Sequence, residues 1–115
     1  MKKIKLIIHV GSSDQWHIAA QNSLNFIKSV EEQEELLVRI VANNDAVTRC
    51  IKCDRPLFDK LKQIVLDGGE IFVCESSLND NGINKERLPE FFKTVPLAAK
   101  TMAEWQQQGW AYIKP

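Results

Sequence analysis

The chain has 115 residues, 44% hydrophobic and 26% charged, with 15 basic and 15 acidic side chains that cancel to a formal net charge of zero. That length supports one hydrophobic core, so residues 1–115 read as a single domain. Balanced charge without a basic stripe excludes an ordinary nucleic-acid binder, and no run approaches the ~18 apolar residues of a membrane span.

The N-terminal stretch Met1 to Val10 has too short an apolar run for a signal peptide, is interrupted by Lys5 and His9, and reads as a first strand over Lys5–Val10. Gly11-Ser12-Ser13-Asp14 ends it, with Ser13 or Asp14 placed to cap the helix that follows. Trp16, Ala20, Leu24, Ile27 and Val30 then recur at helical spacing. Glu31-Glu32-Gln33-Glu34-Glu35 reads as a solvated loop. Leu36 to Ala42, apolar except at Arg39, has the continuous pattern of a strand buried between helix layers.

A second helix is expected over Pro56–Leu66, started by Pro56 and stopped by Gly68-Gly69. Ile71 to Cys74 is a third strand, and Lys85 to Phe92 is helical in pattern. Thr94 to Ala98 reads as a short edge strand, because Pro96 cannot donate a ladder hydrogen bond. A helix over Ala99–Gln108 ends at Gly109, and Trp110 to Ile113 is a last strand. This alternation predicts an α/β fold: a mostly parallel five-stranded sheet with helices on both faces and right-handed crossovers.

Cys74 is the principal candidate for chemistry. It stands at the carboxyl end of an apolar strand, just before Ser76 and Ser77, where open α/β sheets form their ligand crevice. A helix N-terminus favours thiolate over thiol. The alternative is a small buried hydrophobe, and a sulfur enclosed by aliphatic groups with no cavity reaching it would leave only a scaffold. Gly11, Ser12 and Ser13, with Asn43 and Asn44, fall at the same sheet edge and are expected, with Ser76 and Ser77, to line a pocket. No G-x-G-x-x-G or P-loop pattern is present, and no cofactor is indicated.

Cys50 and Cys53 form a C-x-x-C whose members share a face if helical, and Arg49 and Lys52 are placed to stabilise thiolates there. That leaves a redox role open. The further ligands a metal would need, Cys74, His9 and His17, fall on separate elements, so no metal site is assigned. His9 reads as a satisfied strand-end residue and His17 as a partly exposed helix residue, while Trp16, Trp105 and Trp110 read as core or subunit contacts. Three cysteines without secretory context point to free thiols in a reducing cytoplasm.

The segment Val73-Cys74-Glu75-Ser76-Ser77-Leu78-Asn79-Asp80-Asn81-Gly82-Ile83 resembles the DsrE/DsrF-like proteins, in which a strand-end cysteine precedes a small, polar stretch closed by Gly-Ile or Gly-Val. Gln107-Gln108-Gly109-Trp110-Ala111-Tyr112-Ile113 also looks like the closing helix and strand of an uncharacterised branch of that family. The resemblance covers nearly the whole chain. It implies a small α/β sandwich that assembles into homo- or hetero-oligomers, often trimers or hexamers, with a homo-oligomer expected here. It further implies a sulfur-relay role in which Cys74 carries a persulfide between thiol-bearing donor and acceptor proteins. A non-catalytic small-molecule-binding or assembly module of the same fold is the alternative. Two departures stand out: acidic Glu75 follows the cysteine, where relay members carry small apolar residues, and Asn43-Asn44-Asp45 replaces a glycine-containing turn. A carboxylate close to the sulfur opposes thiolate formation.

Overall fold

The first run of β-branched residues forms β1, which begins at Lys2 rather than Lys5 and ends at Val10. Its start is drawn out by parallel pairing with β2 (Glu34–Ala42), from Lys2 beside Glu34 to Val10 beside Ala42. In the computed structural model, which describes residues 1–115, the other strands are β3 (Glu70–Cys74), β4 (Phe92–Val95) and β5 (Ala111–Ile113). The sheet order is β4-β3-β2-β1-β5, and every pairing is parallel. The helices are α1 (Trp16–Lys28), α2 (Arg55–Leu66), α3 (Glu75–Asp80) and α4 (Ala98–Gln107).

Strand alternation divides the core between two faces. Ile8, Val10, Val38, Ile40, Ile71 and Val73 meet Trp16, Ala19 and Ala20 of α1 and Leu57, Leu61 and Ile64 of α2. Ile7, Val41, Phe72, Cys74 and Val95 face the other way, against Ala98 and Met102 of α4 and against Trp110. The α4 face is held partly by Arg39, the one charged residue inside β2. Its Nε donates to Glu70 Oε1 at 3.2 Å, and its guanidinium lies 4.3 Å from the Trp105 ring centre and 4.0 Å from that of Trp110. Glu70 also accepts from Lys93 Nζ at 2.7 Å. All three tryptophans thus serve packing within the chain: Trp16 and Trp110 are buried and Trp105 half-buried.

Three expectations change. The segment expected as a helix over Lys85–Phe92 makes only a 3₁₀ turn, Lys85–Arg87. Pro89 forces Leu88 into an extended conformation (φ −71°, ψ 146°), and β4 then begins at Phe92. The fourth strand lies two residues earlier than Thr94–Ala98, ending at Val95 before Pro96. Val30 lies beyond α1 and is exposed. No helix is long and apolar enough to cross a membrane.

Candidate functional site

Cys74 ends β3 and is the capping residue of α3. Alternation along Phe72-Val73-Cys74 turns its side chain to the α4 face, where Phe72, Val95, Ala98 and Met102 belong to the same cluster. Ala98 is the first residue of α4, so its N–H has no partner within that helix. It donates to Cys74 Sγ at 3.4 Å. The Ser76 N–H donates to Pro96 O at 3.2 Å and pins the start of α3 to the β4–α4 link. The sulfur therefore sits where two helices begin.

Burial pushes the Cys74 thiol up, but the Ser77 hydroxyl and the N–H groups of Ala98, Ser77 and Ser76 outweigh it, and the thiol falls below its ordinary range. Glu75 does not oppose this. Its Oε2 accepts from Thr94 Oγ1 at 2.6 Å and lies 3.6 Å from Lys85 Nζ. The Thr94 hydroxyl, and then Lys85, hold the Glu75 carboxyl below its usual value.

Access is the second correction. Cys74 is only 2% exposed. The two surface cavities lie elsewhere: one of about 510 Å³ is lined by Glu75, Leu78, Asn79, Gly82, Ile83, Asn84 and Lys85. The other, about 580 Å³, lies between α2 and the segment before β4, against Phe58, Leu88 and Phe91. Neither is lined by Gly11, Ser12, Ser13, Asn43, Asn44, Ser76 or Ser77. Those residues do share the carboxyl rim of the sheet, but as a bonded framework. Ser12 Oγ donates to Asp14 Oδ1 at 2.7 Å, Asn43 Oδ1 lies 2.8 Å from His9 Nε2, and the Asn44 N–H donates to Ser77 Oγ at 2.8 Å. Ser76 is exposed and Ser77 buried. Asn44 holds φ 54°, the left-handed conformation that a glycine turn would supply there.

Two more residues shape this rim: His9, a satisfied strand-end residue as expected, and Ala98, which the sequence does not single out. His9 bridges Asn43 and the Tyr112 hydroxyl, tying β5 to the end of β2. Ala98 reaches the sulfur through its backbone alone, so no side-chain signal announces it.

The C-x-x-C is arranged differently from the expected helical face. Cys50 ends the 3₁₀ segment Asn44–Cys50, and Cys53 follows a bend, next to Asp54, which caps α2 by accepting the Leu57 N–H at 2.9 Å. Burial, reinforced by Cys53, raises the Cys50 thiol far above its ordinary value. Burial also raises Cys53. His17 pairs with Asp54 at 3.1 Å on the surface. No three His, Cys, Asp or Glu side chains are grouped to hold a metal ion.

The DsrE/DsrF-like family model matches residues 5–115. No curated protein matches the sequence. Several solved structures share the fold, among them the following three. One is MTH1491 from Methanobacterium thermoautotrophicum, a protein of unknown function, with a TM-score of 0.87 and 18% identity over 97% of this chain and 99% of that one. The ychN protein of E. coli has a TM-score of 0.67 and 15% identity, covering 97% and 100%. BT1422 from Bacteroides thetaiotaomicron, also of unknown function, has a TM-score of 0.70 and 13% identity, covering 96% and 94%. With a family match across all but its first four residues, on a sheet of the same architecture, the chain belongs to the DsrE/DsrF-like family.

Proposed function

We propose that this protein is a sulfur carrier in which Cys74 accepts a sulfane sulfur as a persulfide and passes it on. The observation that carries the reading is a strand-end sulfur that accepts the Ala98 N–H at 3.4 Å, with its thiol lowered despite burial. In uptake, the Cys74 thiolate attacks the outer sulfur of a donor persulfide. A Cys74–sulfur bond forms, the donor's sulfur–sulfur bond breaks, and the donor leaves as a thiolate. In release, an acceptor thiolate attacks the outer sulfur and Cys74 leaves as thiolate, so no external oxidant or reductant is needed.

No cavity reaches Cys74, which taken alone leaves a scaffold; the Ala98 N–H on its sulfur is what sustains the carrier reading, and the enclosure sets a condition on the chemistry. Cys74 packs in one cluster with Val95 of β4 and with Ala98 and Met102 of α4, so the start of α4 must move before a donor reaches the sulfur. We extend the proposal to a homo-oligomer, a trimer or hexamer. The residues of β5 are all exposed, and β5 pairs only with β1, leaving an edge for a second copy. Three free thiols fit a reducing cytoplasm.

The rival reading is a non-catalytic binding or assembly module, favoured by the 2% exposure of Cys74. Incubating the native protein with a small persulfide donor and weighing it intact separates the two. Uptake of one sulfur, lost in Cys74→Ser, is expected of the carrier. A native protein that takes up no sulfur is the module. Light scattering after size exclusion tests the oligomer, and a monodisperse monomer would remove that part.

A further inference from the structure

We propose that the cavity beside α3 is a binding site for a free polar α-amino acid, whose ammonium and carboxylate pair side by side with Glu75 and Lys85. Gly82 takes φ 67° after α3 and turns the chain back. The 3₁₀ turn Lys85–Arg87 thereby returns alongside Glu75, the first residue of that helix. With Leu78, Asn79, Gly82, Ile83 and Asn84 these two residues line a space of about 510 Å³, the usual size of a small-molecule site.

The two charges facing this space have bonding capacity to spare. Glu75 Oε2 accepts from Thr94 Oγ1 at 2.6 Å, and Lys85 Nζ lies 3.6 Å from the same oxygen. A direct charge-assisted hydrogen bond is about 2.8 Å long, so the Lys85 ammonium keeps its protons to give. Glu75 Oε1 is free to accept.

The pair is a dipole, negative at Glu75 and positive at Lys85, with its charges 3.6 Å apart. Bond lengths place the ammonium nitrogen of an α-amino acid roughly 3 Å from its carboxylate oxygens. Laid antiparallel against the pair, such a ligand sets its ammonium on Glu75 and its carboxylate on Lys85. Charges then alternate around four corners of similar spacing. A lone anion or a lone cation satisfies one corner and is repelled by the next.

The rest of the lining selects the side chain. Leu78 is 1% and Ile83 8% exposed, so the floor offers little apolar surface. What it offers is amide: the Asn79 side chain is uncommitted, and Asn84 spends only Oδ1, on the Glu86 N–H at 2.9 Å. A Cβ at Gly82 would meet nothing within 4 Å, so that wall is open and not packed. A hydroxyl or amide side chain fits this lining.

The site is separate from the sulfur. Leu78 and Ile83 pack in the cluster under α1 and α2, whereas Cys74 packs in the one under α4. The inference therefore goes beyond the carrier reading and does not depend on it.

The test follows the backbone amide resonances of Gly82, Ile83 and Lys85 in the isotope-labelled full chain, with L-serine as the probe. L-Serine is expected to shift them saturably. N-acetyl-L-serine lacks the ammonium and L-serinamide lacks the carboxylate, and each should bind about fivefold more weakly, the upper weight of an exposed ion pair. 4-Aminobutyrate carries both charges too far apart to match the pair and should also bind more weakly. Glu75→Gln and Lys85→Gln should each weaken L-serine by the same factor. Shifts that never saturate would make the cavity a solvent-filled depression and overturn the proposal. Equal binding of L-serine and N-acetyl-L-serine would make it a site for anions only, which overturns it too. Should Glu75→Gln not fold, Lys85→Gln, at an exposed residue, carries the charge test.

Discussion

Cys50 and Cys74 are both buried cysteines, 2% exposed each, and their surroundings drive them in opposite directions. Cys50 ends a 3₁₀ segment and has one long contact, Sγ to Ala46 O at 3.9 Å, in which it is the donor. Such a contact favours the protonated form, as burial does. Cys74 stands where α3 and α4 begin, and the Ala98 N–H donates to it at 3.4 Å. Donors favour the anion. Depth therefore says little about a thiol's charge, while the direction of its hydrogen bonds says a great deal.

The largest expected effect separates the two neighbourhoods outright. Replacing Cys50 and Cys53 together by serine should leave persulfide uptake intact, while Cys74→Ser should abolish it, as read by intact mass. Loss of uptake in the double variant, if it stays folded, would move the chemistry to the C-x-x-C.

Next comes the clamp that holds α4 over Cys74. Arg39→Met leaves Glu70 with Lys93 alone and removes a cation from between Trp105 and Trp110. A loss of about 2 kcal/mol in urea unfolding is expected. Because α4 carries the Ala98 N–H, the Cys74 titration should rise with it, and a titration that stays put would uncouple clamp from thiol.

A smaller, pH-dependent effect comes from Cys50. Its folded-state value is raised, so its contribution to stability is full below the unfolded thiol value of about 8.5 and is lost as pH rises above it. The slope should approach about 1.4 kcal/mol per pH unit, and Cys50→Ala should flatten it. Cys74 has the opposite sign. Its lowered value contributes stability above the unfolded thiol value, lost as pH falls through the folded one.

The smallest effect is at Cys53. Burial is the chief cause of its rise, and the Asp54 carboxylate adds to it. Asp54→Asn keeps a cap for α2 and removes the charge, so alkylation of Cys53 should quicken only about twofold, the scale of an exposed charge interaction. A much larger gain would make the carboxylate, and not burial, the dominant cause.

Much of this architecture is legible in the residue order. Period-two and period-3.6 patterns locate β1 to β3, α1, α2 and α4 to within a few residues, because burial on a sheet or helix demands those repeats. Lys85 to Phe92 misleads because Leu88 and Phe91 sit at helical spacing while Pro89 blocks the helix. At the site, the strand-end placement of Cys74 is readable, and so is its closeness to Ser77. The Ala98 N–H is not, since every residue but proline has one and only folding decides where it points.

By itself the sequence determined the α/β alternation, the family and the identity of one strand-end thiol, since these follow from local repeats and a short motif. Tertiary structure alone decided that this thiol is covered, that Glu75 turns to Thr94 and Lys85, that the Asn44 N–H meets Ser77, and that the Ala98 N–H reaches the sulfur. The reason is that charge state depends on donors from segments far apart in the chain, which meet only once β2, β3 and the start of α4 lie side by side.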